Sequence, residues 1–256
     1  MRAFRRLLLL LLAGSGLLAT PCQAAPRANL RVAFSPNRLG HPTNVSFSIA
    51  ISGAGSQLPP PLTGLDIRFP NTLGFAVSGL GLATCSQSTL ELAGVAACPH
   101  NSWMGQGRAL AEVPFGPETL AEAAVISIVR APSSNGRIAM FFDVEAWTPV
   151  ITDFVLPGEL QPGPGANETI HVTVPLVESL PGGTDVAVVQ LHANIGPRGL
   201  IYYERIRGQR VPYHPEGILL PRRCPPRGFQ FAAHLTFQDA SQSSSTSIVR
   251  CPRGNR

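Results

Sequence analysis

The chain of 256 residues contains no lysine: all twenty of its basic residues are arginine, and Gly and Pro occur 25 times each. That pattern is the codon bias of a high-GC genome, so the arginines by themselves carry no argument for nucleic acid. Charged residues make up only 14% of the chain and aromatics 7%. Proline recurs too often for long helices, because it removes a hydrogen bond and clashes with the preceding turn. The apolar run Leu7 to Leu18 is too short to span a bilayer as a stable helix. No apolar tail follows Cys251, which argues against a membrane stop or a cell-wall sorting anchor.

The first thing present is an address. Arg2, Arg5 and Arg6 precede the apolar run and the small residues Ala24 and Ala25 follow it, the three-part layout of a secretory signal. Cleavage after Ala24 leaves small residues at both recognition positions, Cys22 and Ala24. Acylation of Cys22 is the alternative, and Pro21 directly before it matches that processing poorly. Residues 1–24 are therefore expected to be a signal peptide, and 25–256 a single domain that is secreted to the extracellular space or the cell envelope. Without the signal, seventeen Arg face fifteen acids, a formal charge of +2. Export and a near-neutral charge both disfavour a nucleic-acid partner. The charge is uneven: residues 25–197 carry seven Arg against twelve acids, and 198–256 carry ten Arg against three.

Short alternating runs recur along the chain, each closed by Pro, Gly or a polar turn: "LRVAFSP", "TNVSFSIAIS", "GLDIRFP", "RIAMFFDVEAW", "TIHVTVPLV", "FQFAAHLTFQD". About ten strands at this spacing predict an all-β fold, an antiparallel β-sandwich with Pro/Gly-rich loops. In "FQFAAHLTF" period two puts Phe229, Phe231, Ala233, Leu235 and Phe237 on one face and His234 on the other. His171 and His192 fall on polar faces by the same rule. Glu118 to Val129 reads as a segment that could begin as a helix, and Thr89 to Ala97 as one or two helical turns. The stretch Leu156 to Asn167, "LPGELQPGPGAN", marks either a long surface loop or a boundary between two halves near 157–167.

Four cysteines remain after export, Cys85, Cys98, Cys224 and Cys251. An even number in an exported chain points to disulfides, and no pair has the short gap of a compact zinc site. Nearest-neighbour pairing, Cys85 with Cys98 and Cys224 with Cys251, gives two disulfides; cross-pairing would tie the two halves together and stays open at this stage. Ser102, in "HNSWMG", lacks the flanking glycines of a nucleophile elbow and reads as a turn after a disulfide.

The remaining candidates are surface chemistry. Asp143 and Glu145 project from one strand face in "FFDVEAW", the minimum for glycoside hydrolysis by a carboxylate pair. Phe141 and Trp147 share that face, which would suit sugar stacking without catalysis. The segment "GLIYYERIRGQRVPYHPEG" interleaves Tyr202, Tyr203 and Tyr213 with Arg205, Arg207 and Arg210, a pattern that suits an acidic polymer or polysaccharide and equally an edge hairpin. A metal site of His171, His192 and His234 would need their strands to be neighbours, and isolated solvent-facing histidines are the simpler reading.

At "LTGLDIRFP", "GLATCS", "CPHNSWMGQGRALAEVPFGPE" and "CPPRGFQFAAHLTFQD" followed by "CP", the chain resembles a family of uncharacterised secreted, disulfide-containing, β-rich proteins from high-GC bacteria. Its most specific part is the Cys, the Cys-Pro pair, Ser102 and the spacing of Gly105 and Gly107. The resemblance implies export and paired cysteines and carries over no catalytic residue and no cofactor. The expectation is a non-catalytic envelope or extracellular protein that binds a cell-wall or extracellular polysaccharide, or a protein partner, with Trp147, Tyr202, Tyr203 and Arg205 as ligand-binding residues. A secreted glycoside hydrolase using Asp143 and Glu145 is the alternative.

Overall fold

A computed structural model describes residues 25–55, 57–75, 79–115, 118–133, 136–148, 151–163, 167–179 and 182–252. The expected signal peptide and Cys22 lie outside these residues. One antiparallel sheet dominates. It runs in space through β15 (Gln242–Val249), β14 (Phe229–Phe237), β3 (Leu62–Phe69), β9 (Glu168–Thr173), β8 (Thr152–Pro162) and β7 (Ala139–Ala146). It continues through β6 (Glu118–Arg130), β5 (Trp103–Phe115), β10 (Ala187–Ile195) and β2 (Pro42–Ser52), with β1 (Arg27–Ser35) on the far side of β2. Two short strands, β13 (Ile218–Leu219) and β4 (Gly74–Phe75), extend one end of β2. The hairpin of β11 (Tyr202–Ile206) and β12 (Gln209–Tyr213) stands apart.

The expected antiparallel sandwich takes the form of a single sheet curled until its halves face each other and its edges nearly meet. The two edge strands, β1 and β15, run parallel, and hydroxyls bridge them in place of backbone bonds. The N–H groups of Ala28, Leu30 and Val32 donate to Ser243 Oγ, Ser245 Oγ and Ser247 Oγ at 3.0, 2.9 and 3.2 Å. These serines recur at every second residue, so all three point the same way. An edge that would otherwise offer a row of free donors is thereby closed.

Inward alternation sets the core. Phe229, Phe231, Ala233, Leu235 and Phe237 are all buried, as period two requires. Phe34, Phe47 and Phe69 meet Phe229 and Phe231 in edge-to-face pairs with centroids 5.0–6.0 Å apart, the arrangement that suits the ring quadrupoles. All five rings lie toward the end of the barrel where β1, β3 and β10 finish and β14 begins.

Both disulfides join the nearest neighbours: Cys85 to Cys98 with Cα atoms 5.3 Å apart, and Cys224 to Cys251 at 6.0 Å. The first staples a flap over the outer wall. It encloses α1 (Gln87–Ala93), capped by the Ser86 hydroxyl, which accepts from Thr89 N–H. The buried Leu90 of α1 packs with both cysteines on Val129 and Phe141.

Glu118–Val129 is strand throughout, so the helical start allowed by its sequence does not form. Its backbone pairs with β5 along its length and also with β7 from Ala124 onward, and tertiary pairing overrides the helix propensity of its Ala and Glu residues. The Pro/Gly-rich stretch 156–167 is not the long loop its composition suggests: residues 156–162 are the second half of β8, which pairs on one side with β7 and on the other with β9.

Candidate functional site

The β11–β12 hairpin builds a site at the aromatic-packed end. Tyr202 is fully buried; its hydroxyl donates to the Trp103 carbonyl and accepts from Gly81 N–H at 2.7 Å. Burial pushes this hydroxyl up to about 12, with the Gly81 contact pulling it down and Tyr213 adding to the rise. Gly81 has φ +67°, and a Cβ there would lie 2.9 Å from Arg130 Cβ, so only glycine brings its N–H this close. The next residue faces outward. Tyr203 is pinned by Asn101, whose Nδ2 donates to Tyr203 O at 2.8 Å while Oδ1 accepts from Tyr203 N at 2.9 Å. His100 meets the Tyr203 ring edge-on at 5.8 Å and the Arg210 guanidinium lies 3.7 Å above it. Arg205 is exposed two residues along the same strand.

Between this hairpin and the barrel wall lies a cleft of about 690 Å³. Trp103 and Tyr203 supply ring surface, Gln106 and Asn194 amides, and Arg198 a cation. Among the described residues no carboxylate lines it. Arg198 is held by its own N–H, which donates to Asn44 Oδ1 at 2.7 Å, and by Nη1, which donates to Ser35 Oγ at 3.2 Å. Gly105 and Gly107 let β10 press against β5: Cβ atoms there would sit 2.1 Å from the Asn194 carbonyl oxygen and 2.5 Å from that of His192. Ser102 is buried in the turn before Trp103, its hydroxyl donating to Pro99 O at 2.7 Å.

The carboxylate pair lies elsewhere, on the outer wall. Asp143 and Glu145 do share a face of β7, but Asp143 is 1% exposed and both its oxygens lack a hydrogen-bond partner among the described residues. Burial raises its carboxyl to about 6, with Glu145 and Asp153 adding to the rise. Phe141, on the same face, is buried under the α1 flap, so it presents no ring to a sugar. Trp147 is 58% exposed just past β7, at the barrel end opposite the hairpin. Trp103 is level with Phe141 across β6, so Trp147 lies six positions beyond it, roughly 20 Å at the rise of a strand. The four expected ligand residues thus divide: Tyr203 and Arg205 face out from one hairpin, Tyr202 is buried beneath it, and Trp147 belongs to the other end.

Of the three polar-face histidines, His171 and His234 flank Asp66 on adjacent strands, with His171 Nδ1 2.5 Å from Asp66 Oδ1. His192 lies across the barrel beside Ser48. Among the described residues no group of three or more His, Cys, Asp or Glu is arranged to hold a metal. Among them, too, no helix is long and apolar enough to cross a membrane. Sequence reasoning missed Trp103, Gln106, Asn194 and Arg198, which come from two strands and a loop that only strand order brings together. No family model, curated protein or solved structure matches the chain.

Proposed function

We propose that the protein is an exported, non-catalytic binding domain of the envelope or extracellular space, and that the hairpin cleft takes an acidic polysaccharide. The observation that carries this reading is the cleft's composition: ring faces from Trp103 and Tyr203, side-chain amides from Gln106 and Asn194, cations from Arg198 and the neighbouring Arg210, and no carboxylate among the described residues. Sugar rings present C–H faces that stack on aromatics and hydroxyls that pair with amides; uronate or sulfate groups pair with guanidinium. The Asn101 bridge and the turn that follows the Cys85–Cys98 disulfide hold these groups before ligand arrives, which lowers the ordering cost of binding.

Hydrolysis by Asp143 and Glu145 is the second reading, and the raised Asp143 carboxyl favours it, since a proton donor works best with a pKa near the working pH. Against it, a group 1% exposed cannot touch a glycosidic oxygen. A glycan array of acidic and neutral polysaccharides, with product analysis on every hit, separates the two. Binding of acidic glycans without turnover, weakened tenfold or more in Tyr203→Ala and Arg198→Ala, supports the cleft. Absence of binding, or binding that ignores both substitutions, overturns it. Turnover abolished by Asp143→Asn or Glu145→Gln in a folded protein would establish the hydrolase.

A further inference from the structure

The barrel is not filled throughout. Beyond the phenylalanine rings its interior holds an apolar cavity of about 160 Å³ whose wall exposes no polar atom among the described residues, and a second of about 80 Å³, lined also by the buried Glu122 and by Thr152, adjoins it toward the opposite end. Leu62, Ala109, Val144, Phe154, Val174 and Val188 wall both, so the two cavities lie end to end with one layer of side chains between them. Along β10 the wall runs from Ile195 to Val188, roughly 20 Å. The space is therefore long and narrow, and its larger cavity is dry by the rule that keeps apolar cavities of this size free of water. Its mouth lies between the β7–β8 turn and the segment after β9. There the large apolar side chains face solvent: Ile151 is 83% exposed, Trp147 58%, Leu176 44% and Leu120 39%. Charged residues at these strand ends and loops include Glu118, Asp153, Glu178 and Asp185.

We infer that this tunnel binds one acyl chain, entering through the apolar rim around Trp147 and Ile151. A linear hydrocarbon matches a long, narrow space whose inner cavity is apolar better than a compact ring system does, and an exposed apolar rim at its mouth lets a chain pass without crossing water. The chain can come from a bilayer lipid or from a free fatty acid. With acids around the mouth, a zwitterionic surface suits the rim at least as well as an anionic one. This site is independent of the polysaccharide cleft, which occupies the other end.

Titration of the mature chain with cis-parinaric acid tests the inference. Saturation at one per protein is expected, as is displacement by saturated fatty acids from octanoate to palmitate with affinity rising up to about fourfold per added CH₂ until the tunnel is full. Ala109→Phe plugs the passage and is expected to weaken binding at least tenfold. Should that variant not fold, a diazirine-bearing fatty acid on the wild type must label peptides of β5, β7 or β10. Uptake from phosphatidylcholine vesicles that is slowed in Trp147→Ser/Ile151→Ser marks bilayer lipid as the source; uptake from water alone, equal in both proteins, marks the free acid. No binding by the wild type, unchanged binding in folded Ala109→Phe, or labelling confined to 198–213 overturns the tunnel. So does loss of fatty-acid binding in Tyr203→Ala.

Discussion

The two ends of the barrel share the same wall and differ in what fills it. At the hairpin end, Phe34, Phe47, Phe69, Phe229 and Phe231 interlock. At the other, inward positions carry Ala109, Val144, Val174 and Val188, and space remains. A wall of this many strands encloses more than aliphatic side chains can fill, since about eight already gives an interior that side chains just close. Rings make one end rigid, and the polar cleft is built on that rigid end. The hollow end forgoes packing and leaves room for a ligand.

The sharpest way to break this contrast is to cut matching groups from each end. Phe231→Ala should cost about 3–5 kcal/mol in urea unfolding, because it removes a buried ring that meets Phe34, Phe47 and Phe69 from three other strands. Val144→Ala, beside space already empty, should cost about 1 kcal/mol. Val45→Ala at the ring-packed end removes the same two carbons as Val144→Ala and should cost more than it; equal losses from that pair would mean the two ends are packed alike.

Next in size is the flap. Breaking its staple in Cys85→Ser/Cys98→Ser should lower stability by about 3 kcal/mol on the chain-entropy account of a loop this short. Reduction of the wild type breaks Cys224–Cys251 as well and should lower the thermal midpoint further.

Asp143 lies under that flap and should act in the opposite direction. Its folded pKa, about 6, stands above the ordinary 3.8, so the folded state holds the proton more tightly than the unfolded chain does. The cost of ionising it is absent below about pH 4, grows between pH 4 and 6 and is complete above. Asp143→Asn should therefore raise stability by about 2 kcal/mol at pH 7.5 and change it little at pH 4. A variant that destabilises at both pH values would show that the carboxylate has a partner.

The smallest expected effect is at the seam. Ser245→Ala leaves Leu30 N–H without its acceptor and should cost about 1 to 2 kcal/mol, while outward Thr246→Ala should stay within about 0.5 kcal/mol. Hydrogen exchange at Leu30 reports the same loss locally.

Much of this contrast could be read from sequence at the level of faces. Period two assigned every residue of Phe229–Phe237 to its side, and cysteine spacing pointed to the pairing that forms. The same alternation separates Tyr202 from Tyr203, yet both look alike as aromatic residues beside arginines. What escaped was whatever depends on which strands are neighbours. Asp143 reads as an acid on a wet face until α1 folds over Phe141 beside it. Glu118–Val129 has helical composition, and only its pairing with β5 and β7 makes it a strand. The cleft draws on β5, β10 and the loop at Arg198, and the tunnel on small residues whose emptiness shows only once the wall closes.

The central claim, that rings fill one end of the barrel and the other is hollow and dry, is tested most directly by a crystal of the mature protein pressurised with xenon. Xenon should occupy the space bounded by Val144, Ile170 and Leu191, with none among the five phenylalanine rings. Ordered water in that space, or side chains collapsed into it so that no xenon binds, would contradict the account.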